Sequence, residues 1–351
     1  MVLYKFGRFE KNNQIVTEDS LAFAEEILEK LTLEEKIGQM FLIGFEGKEM
    51  SPELEKLLET VRPGGILLLS RNIDSSDQLK NLIKTLQEVS LRETGLPLFV
   101  AVDQEGGPIC RIGFLEEKTS QSKITDFSRA REVGLRRGKE LKELGVNLNL
   151  APVLDITKHD DFLYERSFQK GIEETGILAK SLISGQKQAG ILTAIKHFPG
   201  YGGISFDPER EKLPVSDKVP EISQFQKAFE SSPEMIMTAN VIYSEIDEKL
   251  PFSLSTTSIQ LLKNKIPGNY LIISDDLSSP VLKKEFSLEN SIIMAKNSGI
   301  DILSVAGFDE PKDPILAYDF LLKAAQNNKV PQEKIKESVL KIIQLKQKLS
   351  Y

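Results

Sequence analysis

The sequence predicts an α/β protein, a single-domain (β/α)8 barrel of the TIM type. Eight short, almost continuously apolar runs, each ending at a polar or Gly-rich turn, have the character of parallel strands buried on both faces. Amphipathic stretches of helical period lie between them. The runs begin about 25 to 50 residues apart, which leaves room for the crossover helix that a parallel strand pair requires. An open, doubly wound sheet satisfies the same periodicity and stands as the alternative architecture.

The elements follow in order. Residues 1–30 read as an N-terminal extension and the start of a first helix, with the polar segment up to Asp19 wrapping the barrel. Residues 31–351 read as the barrel with a closing helix. An amphipathic helix is expected over 22–38. The strands are expected at 40–45, 65–70, 98–103, 148–153, 193–198, 235–240, 270–275 and 301–306. The clearest intervening helices are expected over 77–92, 127–144, 171–188 and 282–297. A Lys-rich helix over 332–349 closes the chain, its charges forming a solvated face. The pairs Gly64-Gly65 and Gly106-Gly107 match neither a P-loop nor a dinucleotide fingerprint and are expected to be tight βα turns.

Composition removes several classes of function. The 351 residues carry 45 Lys and Arg against 52 Asp and Glu, a net charge of −7. With those charges spread along the chain, no basic stripe exists to neutralise nucleic-acid phosphates. A single cysteine, Cys110, excludes an internal disulfide and any cysteine-built metal site. Two histidines, His159 and His197, leave little for a histidine-rich cluster, and no metal or organic cofactor is indicated. Without tryptophan, any surface for sugar stacking must come from Phe, Tyr or aliphatic side chains. No apolar run suits a signal peptide or a membrane span, so the expectation is a cytoplasmic, soluble protein.

Barrel enzymes carry their active sites at the C-terminal ends of the strands, and polar residues concentrate at those ends here. Strand three runs into Asp103-Gln-Glu-Gly-Gly107, strand five contains Lys196-His197, strand six ends in Asn240, and strand seven ends in Asp275-Asp276. A core strand rarely closes on a charge unless that charge faces a polar cavity, because an unpaired buried charge is costly. For one Asp, a helix cap or loop ion pair explains the residue equally well. The convergent set favours a site.

These residues resemble glycoside hydrolase family 3. Asp103-Gln-Glu-Gly-Gly107, Glu165-Arg-Ser-Phe168, Lys196-His-Phe-Pro-Gly-Tyr-Gly202, Met237-Thr-Ala-Asn240 and Ser274-Asp-Asp-Leu277 occur in that family's order. The similarity is greatest to its single-domain bacterial β-N-acetylglucosaminidases of peptidoglycan recycling, and it runs from about Leu31 to Ala306. The resemblance implies a retaining, two-step displacement with Asp275 as the nucleophile and Asp276 as the adjacent alternative. Neighbours on a strand point to opposite faces, so only one of the two can face substrate. The resemblance further implies a small carbohydrate substrate, held by Asp103, Arg111, Arg166, Lys196 and His197. It implies a terminal β-linked N-acetylglucosamine, as in cell-wall fragments. It also leads to the expectation that the second domain of many family glucosidases is missing.

One motif departs from the family. After strand five the family carries Asp-Ser-His, whose histidine is the general acid/base. The equivalent stretch here keeps Asp207, but has Pro208 for the Ser and Glu209 for the His. Tyr201 and Asn240 likewise stand where the family has histidines. Three readings stay open. Glu209 is the substitute acid/base, its pKa raised by Asp207. Alternatively the barrel binds sugar or a partner without turnover, or the acid is Glu105, Glu245 or another residue.

Overall fold

The computed structural model describes residues 18–307 and 310–349; the expected wrapping by the first residues falls on 1–17, outside them. Eight parallel strands form one sheet: β1 (Phe41–Ile43), β2 (Gly65–Leu68), β3 (Phe99–Val102), β4 (Leu148–Asn149), β5 (Leu192–Phe198), β6 (Met235–Thr238), β7 (Leu271–Ser274) and β8 (Leu303–Val305). Their order is β7-β6-β5-β4-β3-β2-β1-β8. Closure comes from β7 meeting β8. The Ser274 amide donates to the Ile302 carbonyl at 3.0 Å, and the Ile302 amide donates to the Ile272 carbonyl at 3.0 Å. The sheet is therefore a barrel, and the open doubly wound alternative is excluded. Every residue of these eight strands is buried, as their unbroken apolar runs require once helices cover the outside.

Twelve helices complete the described residues: α1 (Glu18–Lys30), α2 (Leu33–Gln39), α3 (Pro52–Val61), α4 (Ser76–Thr94), α5 (Phe127–Glu143), α6 (Ile172–Gln188), α7 (Ser223–Phe229), α8 (Thr256–Lys265), α9 (Pro280–Phe286), α10 (Leu288–Ser298), α11 (Asp313–Gln326) and α12 (Gln332–Lys346). The single helix expected over 22–38 is two. Thr32 interrupts it, accepting from the Glu35 amide at 3.2 Å while Glu35 accepts from the Thr32 amide at 2.8 Å. That reciprocal cap starts a new helix rather than continuing the old one. The helix expected over 282–297 is likewise split, because Ser287 takes φ +60 and then caps α10 by accepting from the Asn290 amide.

Two further expectations are corrected. Gly64 and Gly65 lie at the start of β2, opposite the βα end. Gly106, by contrast, ends the first strand of a small hairpin (Gln104–Gly106 with Ile109–Cys110) directly after β3, and Gly107 begins its turn. The φ of Gly106 is +90, and a Cβ there would stand 2.0 Å from the Thr119 carbonyl, so only glycine fits. The closing helix is also not wholly a solvated face. Lys346 is fully buried beneath the barrel, its ammonium donating to Gln39 Oε1 at 2.6 Å and lying 5.2 Å from the centre of the Phe99 ring. Among the described residues, no helix is long and apolar enough to cross a membrane.

Candidate active site

The C-terminal ends of β3, β5 and β7, together with the loops after β3, β4 and β5, surround a cavity of about 210 Å³. All eight residues singled out from the sequence line it: Asp103, Arg111, Arg166, Lys196, His197, Asp207, Glu209 and Asp275. Glu105, Tyr201 and Asp276 line it as well.

On one side lies a network of charges. Lys196, on β5, is buried and bridges Asp103 at 2.6 Å and Glu105 at 2.7 Å. Burial alone would lower the pKa of this ammonium, but the two carboxylates raise it above the ordinary lysine value. Arg166 grips the fully buried Glu105 with two prongs. Burial pushes the Glu105 carboxyl up, yet the charges of Arg166 and Lys196 override it and hold this group far below the usual carboxylate range. Glu105 is thus a permanent anion and cannot donate a proton. The hairpin that presents it is fixed from behind by Arg137, which is completely buried and donates to the Glu105 and Thr119 carbonyls at 2.7 and 2.8 Å. Arg111 stands 3.9 Å from Asp103, and its buried Nε has no hydrogen-bond partner. Glu245, the other carboxylate weighed as an acid, is exposed and accepts from the Val219 amide outside the cavity.

His197 is held by Asp155, which follows β4. One oxygen of Asp155 takes both the His197 amide, at 3.1 Å, and Nδ1, at 2.8 Å. The other takes the Tyr201 amide at 2.6 Å. Asp155 therefore ties the end of β5 to the first turn of the loop that follows, and the His197 and Tyr201 rings meet edge to face at 5.2 Å. Asp155 is not among the residues singled out from the sequence; the stretch Asn149-Leu-Ala-Pro-Val-Leu-Asp155 places it after β4 but does not show its partners.

The two adjacent aspartates after β7 part company. Asp276 is buried, and its Oδ1 accepts from the Ser278 amide, the Ser278 hydroxyl and the Ala306 amide at 2.9, 2.7 and 3.0 Å. Its Oδ2 has no partner. Burial raises its pKa to about 6 in spite of those bonds. Asp275 keeps part of its surface open to the cavity. Its Oδ1 accepts from the Asp276 amide at 2.9 Å and its Oδ2 from the Tyr201 hydroxyl at 2.7 Å.

Glu209 is carried in by the loop after β5. Asp207 turns this loop by accepting the Glu209 amide at 2.9 Å, and the Glu209 carbonyl accepts from Val281 at the start of α9. Densely surrounded, the Glu209 carboxyl has its pKa raised to about 8. Burial is the largest cause, followed by the charges of Asp275 and then Asp276; Arg166 opposes them. Asp207, expected from the sequence to be the main neighbour responsible, contributes least of these. Its side chain is engaged with the Glu209 backbone, and Asp275 and Asp276 act more strongly on the carboxyl.

A closed (β/α)8 barrel with one carboxyl group open to its cavity and a second pushed toward its protonated form has the arrangement of glycoside-processing enzymes. Residues 32–345 match the family described as "Glycosyl hydrolase family 3 N terminal domain", and the chain belongs to that family. It is 32% identical to a "Beta-hexosaminidase" of Idiomarina loihiensis, over 75% of this chain and 82% of that protein. It is 28% identical to "Beta-hexosaminidase A" of Pseudoalteromonas piscicida, over 91% of this chain and 62% of that one. Among solved structures, a family 3 β-N-acetylglucosaminidase from Paenibacillus sp. str. FPU-7 superposes with a TM-score of 0.85 at 29% identity, covering 91% of this chain and 62% of the other. The chain thus spans less than two thirds of the length of the last two relatives.

Proposed function

We propose that the protein is a retaining, exo-acting glycoside hydrolase that removes a terminal β-linked N-acetylglucosamine, with cell-wall fragments as the substrate class. The names of the relatives support the sugar. The mechanism rests on one observation: Asp275, open to the cavity, stands in the same site as Glu209, whose carboxyl is pushed toward its protonated form by burial and by the charges of Asp275 and Asp276.

In the first step an Asp275 oxygen attacks the anomeric carbon. The bond to the leaving oxygen breaks, and that oxygen takes the Glu209 proton. The resulting ester removes the negative charge of Asp275, one of the two neighbouring charges that most raise the Glu209 pKa. With that charge gone the Glu209 pKa falls, so the group stays ionised and free to take a proton when a base is needed. In the second step it takes a proton from water, the water oxygen bonds to the anomeric carbon, and Asp275 leaves as a carboxylate. The ion-paired wall of Asp103, Glu105, Arg166 and Lys196, with Arg111 and His197, supplies donors and acceptors for sugar hydroxyls. Asp103 and Glu105 are held in place by their ion pairs with Lys196 and Arg166, so they need little reorganisation when substrate enters.

Hydrolysis of an aryl β-N-acetylglucosaminide by the wild-type chain, with Asp275→Asn alongside, tests this reading. Turnover in the wild type that drops by at least a thousandfold in the variant supports it. A folded wild-type chain that cleaves no β-glycoside over a broad pH range makes the barrel a sugar-binding protein instead.

A further inference from the structure

We infer that Tyr201 is a catalytic residue of the second step: its hydroxyl stabilises Asp275 as it leaves the sugar. The inference rests on the displacement proposed above and gives a role to a group that the sequence marked only as standing where the family has a histidine.

Three observations carry it. The Tyr201 ring is buried, 3% exposed, and lines the cavity. Its oxygen accepts from the Asn240 amide at 2.7 Å. An amide N–H can only donate, so the one hydrogen of the phenol is left for its other partner, Asp275 Oδ2, at 2.7 Å. The direction of the bond is therefore set by the backbone of the strand-six end. The ring is fixed in turn, since the Tyr201 amide is bound to Asp155, which also holds His197. Burial and the Asp275 charge keep the phenol protonated.

A phenol donates more strongly to a carboxylate than to the oxygens of an ester. The bond is strong in the free enzyme, weakens as the glycosyl ester forms, and strengthens again as the ester breaks and its electron pair returns to Asp275. It therefore favours the second step, in which negative charge grows on Asp275, at the expense of the first. Tyr201 itself transfers no proton. The C1–O bond to Asp275 breaks as the water oxygen forms the new C1–O bond, and Glu209 takes the proton that water gives up.

Tyr201→Phe in the full chain tests this with 2,4-dinitrophenyl β-N-acetylglucosaminide, whose leaving group makes the first step fast. Loss of one hydrogen bond to a charged group should lower kcat by roughly ten- to a hundredfold. KM should fall in parallel, leaving kcat/KM within about threefold of wild type. A burst of one dinitrophenolate per enzyme should precede the slow phase, and the quenched protein should gain the mass of one sugar. Tyr201→His, which keeps a ring with an N–H donor, should recover at least part of the lost kcat. If kcat/KM falls as far as kcat, with no burst and no adduct, Tyr201 only holds the loop and the inference is overturned. Wild-type turnover and its loss in Asp275→Asn test the underlying mechanism separately.

Discussion

Arg166 and Glu105 meet in a two-pronged ion pair within the wall of the cavity, Nη2 to Oε1 at 2.7 Å and Nε to Oε2 at 3.0 Å. Lys196 completes the arrangement from β5. Two cations share one fully buried carboxylate, so the group is part of the frame that shapes the cavity.

Glu105→Gln leaves Arg166 and Lys196 facing a neutral amide in a place with little water. Removing one partner of a buried ionic cluster costs about 3–5 kcal/mol. Urea or guanidinium unfolding at pH 7 should show a loss in that range. A loss below about 1 kcal/mol would mean that the cluster is solvated and that the pairing is not structural.

The pH profile follows from Glu209. Its protonated form is required for the first step, and its pKa is raised to about 8, so kcat/KM on a substrate with a poor leaving group should decline as pH rises through about 8. Asp276→Asn keeps an oxygen for Ser278 and Ala306 while removing one of the charges that raise the Glu209 pKa. The alkaline limb should then move to lower pH. An unmoved limb would separate Asp276 from Glu209 electrostatically.

Glu209→Gln should discriminate between leaving groups. An alkoxide needs the proton, and loss of a general acid costs about 10²- to 10⁴-fold. A dinitrophenolate leaves unaided, so its first step should change by less than about tenfold. Equal effects on the two substrates, or none on either, would remove Glu209 from the acid role.

The same substitution should stabilise the fold at alkaline pH. Below the ordinary carboxylate pKa, the group is protonated both folded and unfolded and ionisation contributes nothing. As pH rises from there to about 8, the unfolded chain releases its proton while the folded one retains it, so stability declines. Glu209→Gln abolishes that decline. Thermal melts should show a gain at pH 8.5 that vanishes near pH 4.

Water, rather than phosphate, should be the acceptor in the second step. An ionised Glu209 beside the anomeric carbon attracts a proton from water and repels an incoming phosphate dianion. Product analysis in phosphate buffer should give free sugar alone; accumulation of a sugar 1-phosphate would contradict a carboxylate in that position.

Much of this protein was legible along the chain. The barrel follows from eight buried apolar runs at crossover spacing, because strands covered on both faces cannot alternate. The site's residue types follow from charges placed where those runs end. The resemblance also implies, without coordinates, that Glu209 stands where the family has an imidazole. Helix breaks were hidden, since Thr32 and Ser287 act through capping geometry rather than through apolar period.

What only the tertiary structure decided is how each carboxylate is surrounded. Asp275 and Asp276 are chemically identical neighbours, distinguished by the Ser278 and Ala306 donors that occupy one and the cavity that opens to the other. Glu105 and Glu209 are both enclosed glutamates with opposite pKa shifts, because two cations sit against the first and two aspartates beside the second. The Tyr201 bond to Asp275 joins residues 74 apart. Side-chain type is a property of the chain, but ionisation depends on distances between charges and on exclusion of water. Those quantities exist only once β3, β5 and β7 have been brought round one cavity.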